Sequence, residues 1–469
     1  MTRHKADVVI LGAGPAGSIT ARQLGLAGLD VILIDAGADT KSHQIESFPA
    51  SGAPLLDDIG LLSLVCEVSD GPAAAMRLNW RDVPELRVFE GDGPLLLRRE
   101  DLHNALRAEA GRHVRVLPTR SRKVSDNGQV AEVTTDAGAI SCRMVVDARG
   151  RSAVKRPASD LVALPFSARG AVAEHTMWLD ALPNAWLWAV SLAGDEVHGA
   201  LFQTAATLSG STTQSRFAYA RQQLSGASPF ADAALVSVGP PVAAGLSYVS
   251  DPVVSPRHVL VGDAALARDP IASHGLVHAI RSGVQAAIAV RTILDPEADS
   301  SAAYAFLRLK HTEAIAAAQQ ATARAYGDQI RVSGPFWSVV EAPDEPAKVP
   351  DLGGGPLTFA APLTRAPLLD SERIRWAPAI ELPARRDVFI RQGSLTALDV
   401  AVACRPPAPL QDIAARLGRV HPARLVLTVL DHLIAGGAFV QAPLARPSKA
   451  WARFTSHASS RDTIPDSAS

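Results

Sequence analysis

Three glycines near the amino terminus are the first residues whose spacing suggests chemistry. A short apolar run precedes them, and a second apolar run after them ends in Asp35. Glycines at this spacing allow a tight turn and a close approach of the backbone to a pyrophosphate, while the acid can accept from a ribose hydroxyl. We therefore predict a βαβ unit that binds a dinucleotide, because a glycine-rich turn without a ligand would leave Asp35 unexplained. The pattern G-x-G-x-x-G with its central residues comprises Gly12, Gly14, Pro15, Ala16 and Gly17.

The composition indicates a protein of several folded domains. The chain has 469 residues, of which 47% are apolar and 20% are charged, so it can bury more than one core. The formal net charge is −1, which does not indicate a broad basic surface for binding nucleic acid or a membrane. Neither is therefore expected as a partner.

The three cysteines, Cys66, Cys142 and Cys404, are far apart in the sequence. This spacing excludes a CxxC metal site, so no metal is predicted, and it argues against a disulfide framework. The first residues show no signal-peptide cleavage site and lack the run of about 20 apolar residues that a membrane span needs. We expect a cytoplasmic protein.

Four segments along the chain carry motifs in a common order. After the glycine pattern come R-x-x-L-x-x-x-L from Arg99, DARGRSAVKR from Asp147 and GDAALARDPIASHG from Gly262. Together they resemble the FAD-dependent aromatic monooxygenases of the p-hydroxybenzoate hydroxylase fold, a group that also contains the flavin-dependent halogenases and the geranylgeranyl reductases. The resemblance covers residues about 5 to 335. It implies FAD as the cofactor, reduced by NAD(P)H directly or by a separate reductase.

The same resemblance implies which further residues contact the cofactor. One basic residue would reach the pyrophosphate or the flavin edge, one acid would bond the ribitol or the pyrophosphate, and a proline with the helix start after it would lie against the isoalloxazine. A helix that begins there can direct its N–H groups toward a reduced, anionic flavin. Taken singly, these residues also fit a capped surface helix after a proline turn. In that order the residues are Arg99, Asp263, Pro270, Gly275, Leu276 and Val277.

His274 is the titratable side chain that the alignment of motifs puts near the flavin. It could orient the oxidant or the substrate, or act as an acid or base near neutral pH, and it is the predicted catalytic residue. The alternative is a histidine that caps or packs against the helix.

Two departures from the hydroxylase pattern narrow the subclass. Asp147 and Gly150 are separated by two residues, which resembles the halogenase and reductase branch and puts direct NADPH binding in doubt. Trp186 and Trp188 stand as in the halogenase W-x-W-x-I-P signature, although valine and serine replace its last two residues. Halogenases of this kind contribute a lysine from the first hundred or so residues, and the sequence has none between Lys41 and Lys123. Hydroxylation of an electron-rich ring through a C4a-hydroperoxyflavin is therefore the favoured reaction.

The predicted fold class is α/β, with a Rossmann-type FAD-binding domain, an inserted β-rich substrate domain and a small α+β winged-helix-like carboxy-terminal module. We place the FAD-binding domain at 1–160 and 250–335 and the substrate domain at 161–249. The module spans 336–450 and a tail follows at 451–469. Two amphipathic patterns ending at Gly436 and Gly437, and the strand-like AFVQAP after them, support the module.

An added module of this size suits an enzyme that docks a polypeptide, although a dimerisation element or a lid would serve equally well. Within the halogenase-like branch, the chain is similar to the monooxygenase that hydroxylates tryptophan during cysteine tryptophylquinone biogenesis in quinohemoprotein amine dehydrogenase. This similarity implies molecular oxygen and a substrate polypeptide bearing tryptophan as partners. The alternatives are a monooxygenase or halogenase of a free aromatic metabolite, a reductase of the geranylgeranyl type, and an FAD-binding scaffold without activity.

Overall fold

The computed structural model describes residues 3–37, 44–153, 160–170, 172–227, 230–248, 253–334, 336–337, 357–370, 372–384 and 387–441. The chain divides into two compact units. The first unit comprises residues 1–344 and 369–375, and the second comprises 345–368 and 376–469. No helix in the described ranges is long and apolar enough to cross a membrane.

The first unit contains eight described helices and a larger set of strands. The helices are α1 (Pro15–Leu26), α2 (Ala53–Asp58), α3 (Leu62–Glu67), α4 (Arg99–Gly111), α5 (Ala205–Leu208), α6 (Thr213–Ser225), α7 (Gly275–Leu294) and α8 (Ser300–Gly327). The strands are β1 (Arg3–Leu11), β2 (Val31–Asp35), β3 (Ile45–Phe48), β4 (Ser69–Pro72), β5 (Ala75–Asn79), β6 (Glu85–Val88), β7 (Leu95–Arg98), β8 (Arg115–Pro118), β9 (Ser121–Asp126), β10 (Ala131–Thr135), β11 (Gly138–Asp147), β12 (Leu161–Arg169), β13 (Thr176–Leu182), β14 (Ala185–Ser191), β15 (Glu196–Thr204), β16 (Ala234–Val238), β17 (Val242–Ala243), β18 (Ser247–Tyr248), β19 (Val254–Ser255), β20 (His258–Leu260) and β21 (Leu266–Ala267).

A parallel sheet in the order β8-β2-β1-β11-β20 positions the predicted cofactor residues. Residues 8–11 of β1 and 31–34 of β2 are buried, as expected for strands covered on both faces. Because the chain leaves β1 toward β2 and later returns to the other side as β11, the strand order reverses at β1. In doubly wound sheets ligands bind outside the carboxyl ends of the strands at such a reversal.

A second sheet runs in the order β16-β12-β15-β14-β13-β5-β6. It holds the strands predicted over 161–249, but β5 and β6 also join it from before residue 90. The parallel pairing of β5 with β13 joins residues about 100 positions apart, and a local alternation of apolar residues carries no information about such a partner. The division of this unit into a cofactor domain and a substrate domain remains a prediction.

In the described residues of the second unit, strands of two to ten residues combine with three helices. Its core includes Ile380, Leu395, Ile413, Val429 and Leu433, all fully buried. The two predicted amphipathic helices are present, and β28 forms at the predicted strand and pairs with β22 in antiparallel fashion. The winged-helix type of the module remains a prediction. The elements are β22 (Leu357–Phe359), β23 (Leu363–Asp370), β24 (Arg373–Leu382), β25 (Asp387–Phe389), β26 (Arg391–Gln392), β27 (Leu395–Thr396), α9 (Ala397–Ala403), α10 (Leu410–Leu417), α11 (Ala423–Ala435) and β28 (Phe439–Gln441).

Candidate cofactor-binding site

The turn between β1 and α1 is packed too tightly for side chains at two of its glycines. Gly12 has a φ of +99°, and a Cβ on it would lie 2.7 Å from the carbonyl oxygen of Ala148. A Cβ on Gly17 would lie 1.9 Å from the carbonyl oxygen of Gly12. The amide of Ala148 also donates to the carbonyl of Leu11 at 2.8 Å. The glycines therefore let the turn close against the end of β11, at the reversal of the strand order.

Gly14 has the opposite surroundings. Among the described residues, no heavy atom lies within 4 Å of the position that its Cβ would take. Helix α1 starts directly after it at Pro15, and within the described chain no side chain caps this helix end. The open side of Gly14 and the N–H groups of the first turn fit the pyrophosphate of FAD, because helix amino termini attract anions.

Asp35, at the end of β2, is held by an arginine that the sequence patterns did not single out. Arg107 Nη1 donates to Asp35 Oδ2 at 2.6 Å, and the Gly37 amide donates to Oδ1 at 3.0 Å. A carboxylate offers about four acceptor sites, so Asp35 can still accept from a ribose hydroxyl. Its predicted contact with the adenosine ribose remains a prediction.

One face of α4 connects the two ends of the predicted cofactor path. Arg99, His103 and Arg107 are four residues apart in turn, so they share a face that extends about 12 Å along the helix. Arg99 donates to Gln44 at 2.9 Å and pairs with Glu46 at 3.3 Å. Burial, with the charges of Arg99 and Arg107, lowers the pKa of His103 to about 4, so this histidine is neutral at pH 7.

Asp263 lies in a 3-10 turn after β20, next to the start of α1. Gly262, with a φ of +57°, packs so closely that its Cβ would lie 2.7 Å from the Ala16 Cβ. Arg151 Nε lies 3.6 Å from Asp263 Oδ2. Burial raises the pKa of the Asp263 carboxyl, while the charges of Arg151 and Arg99 oppose this rise. The charge of Arg99 thus acts on Asp263 although the two residues are 164 positions apart in sequence, and their shared contact with FAD stays a prediction.

Arg151 is a residue of this site that the sequence patterns did not assign. Its guanidinium donates to the carbonyls of Gly245 at 2.6 Å, Ala244 at 2.9 Å and Arg268 at 2.9 Å. It therefore links the end of β11 to the segment that leads into Pro270. Its place in DARGRSAVKR, four residues after Asp147, is the only sequence signal for this role.

Asp147, at the end of β11, is only 2% exposed and is engaged by a neighbour in sequence. Arg149 donates to both of its oxygens, through Nε at 2.9 Å and Nη2 at 2.6 Å. The two residues that separate Asp147 from Gly150 therefore have a structural role, because they let Arg149 fold back onto the carboxylate.

The segment Pro270–Val277 forms a 3-10 turn followed by the start of α7. The side chains of Leu276 and Val277 are buried in a cluster with Phe48 and Ile19. We therefore expect these two residues to contact the flavin through their backbone N–H groups. His274 is exposed, and its Nδ1 bonds the carbonyl oxygen of Ala272. His274 is the N-cap residue of α7, and within the described structure its side chain makes no capping bond, so its catalytic role and the capping or packing alternative both stay predictions.

A buried polar relay next to this segment was missed in the sequence. Asp269 is 4% exposed, and its Oδ1 accepts from the Ile271 amide at 3.0 Å. Tyr326 donates to Asp269 Oδ2 at 3.4 Å and accepts from the indole N–H of Trp186 at 3.1 Å. The relay joins the Pro270 turn to α8 and to the second sheet.

Trp186 and Trp188, the two tryptophans of the halogenase-like signature, have different surroundings. Trp186 is 1% exposed and stacks on Phe202 with ring centroids 3.7 Å apart. Trp188 is half-buried at the edge of the same cluster. Trp186 is therefore part of the core and offers no free face to a substrate.

Substitution of Asp263 by asparagine tests the second anchor. We expect the affinity for FAD to fall about tenfold or more, since a hydrogen bond to a charged group contributes roughly 1.5–3 kcal/mol. The apoprotein should not lose stability, because the substitution removes a charge whose burial is unfavourable. Titration of apoprotein with FAD, followed by flavin fluorescence, measures the affinity, and Asp35→Asn serves as the matched variant at the other end of the path. Unchanged FAD affinity in D263N would remove Asp263 from the site.

The comparisons with known proteins agree with this geometry. A family model described as an FAD binding domain matches residues 5–150. A tryptophan 2-halogenase from Chondromyces crocatus is 25% identical over 338 residues, which are 64% of this chain and 63% of that protein. The chain thus spans less than two thirds of this curated relative.

Two solved structures are similar over nearly the whole chain. One is the peptidyl tryptophan dihydroxylase QhpG, essential for tryptophylquinone cofactor biogenesis, with a TM-score of 0.71, 20% identity and coverage of 92% of this chain and 99% of that one. The other is CmlS, a flavin-dependent halogenase, with a TM-score of 0.72, 18% identity and coverage of 95% and 99%. These likenesses confirm the predicted mixed α/β FAD-binding fold of the p-hydroxybenzoate hydroxylase type, with several sheets. Residues 5–150 therefore form an FAD-binding domain, and FAD is the cofactor that this domain binds.

Proposed function

We propose that this enzyme hydroxylates an electron-rich aromatic ring, and that the ring is a tryptophan side chain of a partner polypeptide during maturation of a tryptophylquinone cofactor. The observation that carries the proposal is the likeness to the peptidyl tryptophan dihydroxylase over 92% of the chain. A match of that extent must include most of the second unit, which the FAD binding domain model does not reach. The second unit would then help to dock the polypeptide.

The residues of the chain divide the work of holding FAD. The turn at Gly12–Gly17 and the first turn of α1 would bind the pyrophosphate, and Asp35, held by Arg107, would bind the adenosine ribose. Arg99 and Asp263, with Arg151, would bind the central part of the cofactor. The N–H groups at the start of α7 would stabilise negative charge on the reduced flavin. Bound FAD would supply the activation of molecular oxygen.

The aromatic cluster beside the Pro270 turn would help to exclude water from the reaction. Trp80 packs edge to face against Trp186 and Phe202 stacks on it, and the N–H of Trp80 donates to the carbonyl of Ala325 at 2.7 Å. A dry wall next to the reacting ring protects an activated oxygen species from loss to water. His274, exposed at the start of α7, remains the side chain proposed to orient the oxidant or to move a proton.

The direct test is the mass of a candidate polypeptide after incubation with the reduced, FAD-loaded enzyme and oxygen. The polypeptide is a tryptophan-bearing one from the genomic neighbourhood, and the control is the same polypeptide with that tryptophan replaced by phenylalanine. We expect a gain of one or two oxygen atoms on the tryptophan polypeptide alone. Turnover of a free indole without any gain on the polypeptide would overturn the choice of substrate.

Halogenation is the second candidate, because the tryptophan 2-halogenase and CmlS are also similar to the chain. Against it stands the sequence between Lys41 and Lys123, which holds no lysine to direct a hypohalous acid. Repeating the incubation with bromide separates the two reactions, since a bromine atom has a distinct mass and isotope pattern. Bromine on the product instead of oxygen would establish the second candidate.

A further inference from the structure

Three basic residues lie near the first turns of α7, where the charges of Arg268 and Arg281 both act on His278. Arg268 follows β21, and His278 and Arg281 lie one helical turn apart on α7. The Nε atom of Arg268 and the Nε2 atom of His278 are buried, and neither has a hydrogen-bond partner in the described structure. Across the described residues, Arg268 and Arg281 also lack a carboxylate within ion-pair distance.

The charges in this group act against each other. Burial, together with the charges of Arg268, of His311 on α8 and of Arg281, lowers the pKa of His278 to about 4. The pKa of Arg268 is also lowered, by burial first and then by Arg281. Buried donors without partners cost free energy, and like charges near one another repel, so a bound anion would stabilise this group.

We propose that Arg268, His278 and Arg281 form a binding site for a phosphate-like dianion. Two guanidinium groups can donate in parallel pairs to tetrahedral oxyanions, and an imidazole supplies a further donor when it is protonated. The site is separate from the place of the FAD pyrophosphate, which lies at the start of α1. It is also independent of the oxygenation proposed above.

Two kinds of ligand could supply a phosphate dianion to this site. It is either free inorganic phosphate or a phosphate group carried by a larger ligand, of which the 2′-phosphate of NADPH is the one that matters for an enzyme needing a reductant. Arginine side chains are what distinguish the 2′-phosphate of NADP from the hydroxyl of NAD. A comparison of NADPH with NADH therefore separates the two sources.

The first experiment titrates the FAD-loaded full chain with sulfate by calorimetry, at constant ionic strength kept with sodium chloride. Sulfate is the probe because it stays a dianion between pH 5 and pH 8. We expect Arg281→Gln and Arg268→Gln each to weaken sulfate binding about tenfold or more, in line with the strength of charge-assisted hydrogen bonds. Arg221→Gln on α6 removes the same charge from a distant exposed site and is the matched control. Arg281 is exposed, so its variant reports on the site even where R268Q folds poorly.

The second readout is the pH dependence of sulfate binding. The groups that face His278 are Arg268, Arg281 and His311, and a bound dianion would favour the protonated imidazole. We therefore expect the wild-type protein to bind sulfate more tightly as the pH falls from 7 to 5, and His278→Asn to lose most of this dependence.

Tighter binding of NADPH than of NADH, with competition by sulfate, assigns the nucleotide as the source, and equal binding of both assigns inorganic phosphate. The proposal is overturned if R221Q weakens sulfate binding as much as R281Q, or if no sulfate binding is measurable in the wild-type protein.

Discussion

Replacing Gly17 with alanine is expected to abolish FAD binding and to lower the free energy of unfolding by about 3 kcal/mol or more. The added Cβ would lie 1.9 Å from the carbonyl oxygen of Gly12 and 3.0 Å from the Cβ of Ala148. Both neighbours belong to the turns at the ends of β1 and β11, and backbone at such a place cannot move aside as a flexible side chain can. Overpacking in a close-packed interior costs roughly 1–3 kcal/mol and sometimes more. Urea unfolding of the apoprotein and retention of yellow flavin on purification measure the two effects.

Gly14→Ala is the matched control, since it adds the same methyl group three positions earlier in the same turn. Within the described structure nothing lies near its Cβ position, so we expect the variant to unfold at the same urea concentration as the wild type. Its affinity for FAD should nevertheless fall, because the methyl group would occupy space on the side of the turn that faces the pyrophosphate. A Gly17→Ala protein that binds FAD like the wild type would contradict the placement of the cofactor at this turn.

The second large effect is a pH dependence of stability that comes from Asp269. Burial raises the pKa of this carboxyl from 3.8 to about 6, against the lowering influence of the Ile271 amide, Arg151 and Tyr326. The folded protein therefore holds a proton that the unfolded chain has already lost between about pH 4 and pH 6. Over that window stability falls as the pH rises. The rise to about 6 corresponds to about 3 kcal/mol, and Asp269 is 4% exposed, so little of it is screened by solvent.

Asp269→Asn should remove this contribution. We expect the wild type to lose up to about 3 kcal/mol relative to the variant as the pH rises from 4 to 7, which urea unfolding at a series of pH values measures directly. Asp180 has a pKa that burial likewise raises to about 6, so Asp180→Asn is needed as a second variant that acts in the same window. Tyr326→Phe removes a donor to Asp269 and should move the window to higher pH. Parallel stability curves for the wild type and D269N would show that the pKa of Asp269 is not raised in the folded protein.

Much of the candidate site could be predicted from local patterns because each part is a short motif at the end of one strand or the start of one helix. The glycine pattern, Asp35, Asp263 and the start of α7 are of this kind. The partners that hold these parts were not predictable in the same way. Arg107 holds Asp35 across 72 positions, and Tyr326 reaches Asp269 across 57. At such separations, a single sequence contains no spacing pattern that would pair this arginine or this tyrosine with its aspartate.

The amino-acid sequence by itself determined the βαβ unit, the order of the cofactor motifs and the FAD-binding domain, because a strand, a glycine turn and a helix start are encoded by residues close to one another. Only the tertiary structure decided that Arg107 holds Asp35, that Arg151 joins Asp263 to the Pro270 segment, and that His274 faces solvent. It alone also assembled the basic group of Arg268, His278 and Arg281 and the pairing of β5 with β13. The reason is physical: these contacts arise when separate elements pack, and burial and charge then change what each side chain can do.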